Sequence, residues 1–193
     1  MSIIHHVRRI ALPIAIALLA WLVFPAATQL AAQPRAQVLQ LEIAEIPSRY
    51  APAPFAFDSE TGIASHGNAF VTQGYIYPAG TMGDGEGVKP DGSPLYPDKV
   101  LGEWSCWGFV AGGDGSRPVT TQQFQFGLGF GERTIITTGY EIMDGSTFKR
   151  AIVGGTGPFA SASGEQAQTF LGLNAYPPYG GAKFRVELHI APR

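Results

Sequence analysis

The chain's closing stretch alternates without a break: Phe184, Val186, Leu188 and Ile190 fall on one side of a two-residue period, Lys183, Arg185, Glu187 and His189 on the other. An extended strand turns successive side chains to opposite faces, so the pattern predicts a half-buried strand over 183–190. Seven more stretches rich in β-branched and aromatic residues read the same way: 38–46, 68–77, 101–110, 119–126, 134–142, 148–153 and 159–171. Short glycine-rich turns join most of them, among them Gly154-Gly155-Thr156-Gly157. Pro47, Pro52 and Pro54 make the stretch after the first strand an extended linker, and the glycine- and proline-dense run Thr81–Lys99 is predicted as a long loop at a barrel mouth. With no convincing amphipathic helix in between, the expected fold is all-β, an eight-stranded antiparallel β-barrel that holds side chains or one small ligand. Chemistry is then expected at the inside or the mouth.

The N-terminus follows a different pattern. Arg8 and Arg9 precede the uncharged apolar run Ile10–Phe24, and small and polar residues follow through Ala32. That layout is the one of a secretory signal peptide, here a signal helix over 1–32 ahead of a barrel domain over 33–193. The run is short for a bilayer span, which needs roughly 17 to 25 residues, and Pro13 interrupts it. A secreted or periplasmic protein is expected, with membrane association only if the segment stays uncleaved as an anchor.

Removing the leader changes the charge. Thirteen basic residues less Arg8 and Arg9 leave 11 against 15 acidic ones, a net charge of −4. An acidic domain without a Lys/Arg cluster excludes nucleic acid as a partner. Cys106 is the only cysteine, so no internal disulfide can form. His66 and His189 are the only histidines after the leader, and Asp84, Glu86 and Asp91 lack calcium-loop spacing, so no metal site or cofactor is expected. There is no G-x-S-x-G elbow, and neither the glycines at 127, 129 and 131 nor the GGTG turn has the context of a nucleotide-binding loop.

The stretch AIVGGTG, the aromatic Phe159 beyond it, the small residues closing at Gly164, the terminal KFRVELHI and the earlier QFQFG resemble the allene oxide cyclase and dirigent barrel superfamily, of calycin type. The resemblance covers 101–190. It implies a closed barrel, dimers or trimers, and, from the plant cyclases, conversion of a fatty-acid epoxide in an apolar cavity with a carboxylate, a water and a nearby cysteine or tyrosine. Carried over residue by residue, Glu42 stands for the first-strand glutamate, Cys106 for the cavity cysteine, and Tyr140 for the tyrosine after Gly139. The cyclases' asparagine is Ala44 here, and the dirigent aspartate and arginine positions are Pro158 and Ser163, so the resemblance implies a fold more than a reaction.

Glu42 and Tyr140 are therefore the candidate catalytic residues, one polarising and the other donating a hydrogen bond, and Cys106, Gln73 and Trp104 are the candidate ligand-binding residues. The simpler reading of Cys106, and the favoured one, is an inert buried thiol. Trp104 and Cys106 share a strand face opposite Trp107, so one tryptophan is expected inside and one outside, the latter as a subunit contact. Gln73, Gln122, Gln123, Gln125, Gln166 and Gln168 form an amide-rich set that either binds a polar head group or ladders across a solvated face. Glu165, Arg185 and His189 read as a surface charge cluster. The expected function is an exported barrel that binds a small, largely apolar molecule and steers its isomerisation or cyclisation. The alternative is a non-catalytic ligand-binding or interaction barrel at the cell surface.

Overall fold

The computed structural model describes residues 36–53, 66–111, 117–127, 129–176 and 180–192. The expected signal helix lies outside the described residues.

Nine strands follow in chain order: β1 (Gln37–Glu45), β2 (Ala51–Pro52), β3 (Ala69–Pro78), β4 (Gly102–Ala111), β5 (Arg117–Phe126), β6 (Thr134–Tyr140), β7 (Thr147–Gly155), β8 (Gly164–Leu173) and β9 (Ala182–Ile190). Neighbours pair antiparallel from β3 through β9, β9 pairs with β1, and β1 pairs with β3 through Leu41↔Pro78 to Glu45↔Gly74. That last pairing closes an eight-stranded barrel, and closure leaves these eight strands no free edge. The two-residue β2 adds only Ala51↔Val71 and Pro52↔Phe70 to the outside of this count.

Seven of the eight predicted strands match within a few residues. The eighth, expected over 159–171, begins only at Gly164. Pro158, with its fixed φ and missing donor, lies in a 3-10 turn, Gly157–Phe159, ahead of it. The turn is not idle, because Phe159 is buried and its ring packs 5.7 Å from that of Phe126.

Alternation decides the inside. Phe184, Val186, Leu188 and Ile190 are buried in the barrel core with Leu41, Ile43, Ile76, Trp104, Phe124, Ile135 and Ile152. Trp104 and Phe184 meet at 6.1 Å, and Phe170 joins Phe184 at 5.9 Å. Leu39, Ile135, Phe159 and Ile190 fill the half of the barrel where β1, β6 and β8 begin. Arg185 and His189 face solvent, as the pattern requires.

The loop between β3 and β4 departs from its expected place at the mouth. It folds back along the outer wall over β1 and β3, where Ala44, Tyr77, Met82 and Val88 form a second buried cluster. The Tyr77 ring meets Tyr96 edge-on at 6.0 Å, and its hydroxyl donates to the Gly87 carbonyl at 2.7 Å. Asn174 accepts from the Gly87 amide at 3.2 Å, and Lys183 donates to the Gly85 carbonyl at 3.0 Å. Tyrosines on the outward face of β3 need cover from water, and the loop supplies it.

Candidate functional site

The other half of the barrel interior is polar. On β1 the inward positions run Leu39, Leu41, Ile43, Glu45, so the row ends in a carboxylate. On β7 it runs Phe148, Arg150, Ile152, and on β8 Gln166, Gln168, all buried. Across β3, β4, β5 and β6 a belt of paired residues, Thr72↔Cys106, Cys106↔Gln122 and Gln122↔Thr137, rings the same level, and all four are buried. Just past β6, Glu141 continues its inward period and is buried too.

Cys106, Gln122, Glu141, Gln166 and Gln168 form one connected network. Glu141 Oε2 accepts from Gln122 Nε2 at 3.0 Å, from Thr120 Oγ1 at 3.4 Å and from Cys106 Sγ at 3.5 Å. Gln166 Nε2, reaching from the opposite wall, donates to Gln122 Oε1 at 2.8 Å and to Gln168 Oε1 at 2.7 Å. The amide bridge between β5 and β8 thus spans the barrel. Arg150 lays its guanidinium against the wall, with Nη1 donating to the Tyr140 carbonyl at 2.7 Å and to that of Gly139 at 3.3 Å, and Nη2 to that of Thr120 at 2.9 Å. Gly139 makes this path possible, since a side chain there would meet the Arg150 backbone and stem at 3.3 Å.

Glu45 is the titratable centre of the site. Burial is the chief reason its carboxyl is pushed up from 4.5 to about 7; the nearby Glu141 charge adds to this, and the Ala182 amide and the neighbouring Thr72 hydroxyl oppose it. Its Oε2 accepts from the Ala182 amide at 2.5 Å. Burial and then Glu141 also push the Cys106 thiol well up, which makes it a poor nucleophile. Desolvation lowers Arg150 from its ordinary value, offset in part by Glu141 and Cys106.

Several buried polar atoms in this region have no protein partner: Gln166 Oε1, Gln168 Nε2, Thr137 Oγ1, Arg150 Nε and Trp104 Nε1. Orphaned polar groups cost roughly 1–3 kcal/mol each when nothing meets them, so such a concentration inside a barrel marks a place built to meet a solvent or ligand molecule.

The five sequence candidates divide. Cys106 and Trp104 both point inward and are fully buried. Glu42 is on the outward face of β1, where it accepts from the Gly80 amide at 2.9 Å and the Met82 amide at 2.7 Å and so anchors the outer-wall loop. Tyr140 is 56% exposed, and Gln73, half-buried, is on the outward face of β3 opposite Ser105. The structure therefore does not bring Glu42, Tyr140 and Gln73 to Cys106 and Trp104. Trp107 is outside and 41% exposed, as expected. Of the glutamines, Gln122, Gln166 and Gln168 are inside, whereas Gln125 pins the turn before β6 by donating to the Gly129 carbonyl at 2.5 Å and accepting from Gly131. The late-strand charges are at the surface as a Lys149–Glu165 pair at 2.6 Å and a His189–Glu187 contact at 3.1 Å.

Sequence reasoning missed Glu45, Glu141, Arg150 and Thr137. The signal for Glu45 was present: it keeps step with Leu39, Leu41 and Ile43, whereas Glu42 keeps step with Gln40 and Ala44.

No family model and no curated protein matches the sequence. Solved structures do match. The pterocarpan synthase dirigent protein PsPTS1 superposes with a TM-score of 0.58 at 16% identity, over 83% of this chain and 97% of that one. A second pterocarpan synthase dirigent protein, GePTS1, gives 0.56 at 13% identity, over 82% and 88%. Pyocyanin demethylase gives 0.50 at 16% identity, over 80% and 100%. The barrel has the fold of dirigent proteins and related barrel proteins. At these identities the likeness is one of fold.

Proposed function

We propose that the polar half of the barrel binds a small organic molecule and moves a proton on it, as an isomerase or cyclase would. The observation that carries this reading is Glu45, a carboxyl titrating near 7 inside a closed barrel beside a second buried carboxylate. An acid–base group is most effective when its pKa lies near the working pH, and perturbed carboxyls gather at functional sites. In its ionised form Glu45 accepts a proton from a carbon next to a carbonyl and returns it to another carbon, so the step rearranges the substrate without oxidation or reduction. The unpartnered polar atoms orient the head of the molecule, and Phe70, Phe148 and Phe170 offer its body an apolar rim. Confinement by the walls then restricts the conformers that react. On this reading the apolar leader exports the barrel, which meets its ligand outside the cytoplasm.

A second reading, an interaction barrel, draws on the outer wall. Val71 pairs with Trp107, and Phe109, Val119 and Tyr140 form a continuous cross-strand row, all partly exposed. Contiguous apolar surface of this kind suits a protein partner or a second copy of the chain.

Native mass spectrometry of the freshly purified protein separates the two. The first reading expects a retained small molecule that is lost on denaturation and excluded by Gln168→Trp, which sets a bulky ring at the unpartnered amides. Once that molecule is known, Glu45→Gln should bind it and fail to turn it over. A spectrum free of adducts, together with no binding in a screen of small neutral aromatics, would overturn the first reading.

A further inference from the structure

The amide chain inside the barrel has a direction. A carboxylate oxygen of Glu141 accepts from Gln122 Nε2, which fixes that amide with its NH2 toward Glu141 and its carbonyl toward β8. The carbonyl in turn holds the Gln166 NH2, and the same NH2 holds the Gln168 carbonyl. An amide turned the wrong way would set NH2 against NH2 or carbonyl against carbonyl, so each link dictates the next. At the end of the chain one donor and one acceptor are left over, Gln168 Nε2 and Gln166 Oε1, both buried and both unpartnered. They are two positions apart on the inward face of β8, with Gln168 nearer the polar end.

The charges around them narrow the choice of ligand. Among the described inward residues the charged groups are Glu45, Glu141 and Arg150. Three of the five Arg150 N–H donors are tied to backbone carbonyls, which leaves the guanidinium Nε–H and one Nη2–H to meet a ligand. A buried anion would thus meet two carboxyls and a single guanidinium already held by three backbone carbonyls, an expensive arrangement.

We infer that the polar half of the interior selects uncharged molecules that present a hydrogen-bond acceptor beside a donor, the edge of a primary amide, lactam or hydroxy-ketone, with the acceptor on Gln168 Nε2 and the donor on Gln166 Oε1. This rests on the reading of that half as a binding site and specifies its ligand class. Glu141 acts as a positioning residue: it sets the polarity of the chain without touching the ligand's recognition edge.

Isothermal titration of the intact protein with a matched set tests it: 2-naphthamide (donor and acceptor), 2-acetylnaphthalene (acceptor alone) and 2-naphthoate (anion). The expected order is amide tightest, ketone several-fold weaker and carboxylate weakest. Gln168→Leu should cut amide binding about tenfold, as loss of one buried hydrogen bond does. Glu141→Gln, which lets the chain run either way, should narrow the gap between amide and ketone while the protein stays folded by circular dichroism. If the naphthalenes bind but the carboxylate equals or exceeds the amide, or if both variants keep the wild-type order, the inference is overturned and the binding site stands. If none of the three binds, the site reading falls and the inference falls with it.

Discussion

Replacing Glu45 with Gln should remove a pH dependence of stability that the wild-type barrel carries. In the unfolded chain this carboxyl loses its proton near 4.5, and inside the barrel near 7. Between those values the folded protein holds one proton more than the unfolded chain, so stability falls as pH rises through the window and is level below and above it. The separation of about 2.5 on the pH scale corresponds to ~3 kcal/mol, lost at roughly 1.4 kcal/mol per pH unit. In a domain of this size that is about 6–12 °C in Tm. The Gln variant is the right reference because it is neutral throughout and keeps an oxygen for the Ala182 amide. Glu141, Cys106 and Arg150, the other titratable groups buried on the inward face, are present in both proteins and largely cancel in the difference. Urea titrations at half-unit steps from pH 4 to 8.5, read as wild type minus variant, give the curve directly. A difference that stays flat, or that rises with pH because the Ala182 amide and Thr72 hold the carboxylate ionised, would refute the assignment of Glu45 as a carboxyl raised by burial.

Glu42→Gln should free the outer-wall loop, since one of the two amides at Gly80 and Met82 then faces an NH2 group; the expected cost is about 1–3 kcal/mol, seen as faster proteolysis within 79–96 with ligand binding retained. Loss of binding in a folded Glu42→Gln protein would instead return that residue to the site. Cys106 should resist iodoacetamide at pH 8 in the native protein and react in denaturant, because burial and Glu141 hold its thiol protonated; native labelling at the rate of a free thiol would contradict that placement. Gly139→Ala should press on the Arg150 backbone and stem and destabilise the barrel by roughly 1–3 kcal/mol in urea titration, and an unchanged midpoint would show that Arg150 takes another path.

Much of the barrel was legible because its signal is local. A two-residue period and glycine-rich turns are enough to mark strands, and eight strands without helices leave few ways to hide an edge. The strand expected from Phe159 starts only at Gly164, because Phe159 is apolar but its burial comes from packing on Phe126 and not from pairing. The site was harder. Glu42 drew attention through a family position, but a strand one residue out of step turns every side chain to the other face. The alternation that located Phe184, Val186, Leu188 and Ile190 would have put Glu45 inside as well. Whether glutamines on strands look in or out depends on which neighbours flank them, and Gln166 and Gln168 share a face with nothing apolar until Phe170. The link from Glu141 through Gln122 to Gln166 joins strands far apart in sequence, and only closure of the barrel brings them together.

The central claim, that the polar half of the interior is where a small molecule binds, is tested most directly by following the side-chain NH2 resonances of the glutamines by NMR while 2-naphthamide is titrated in. The account predicts saturable shifts at Gln168 and Gln166, propagated to Gln122, with Gln73 and Gln123 on the outer face unmoved. Shifts confined to Gln125 and the backbone around Tyr75, Leu101 and Phe130, which line a groove on the outer wall, would contradict it.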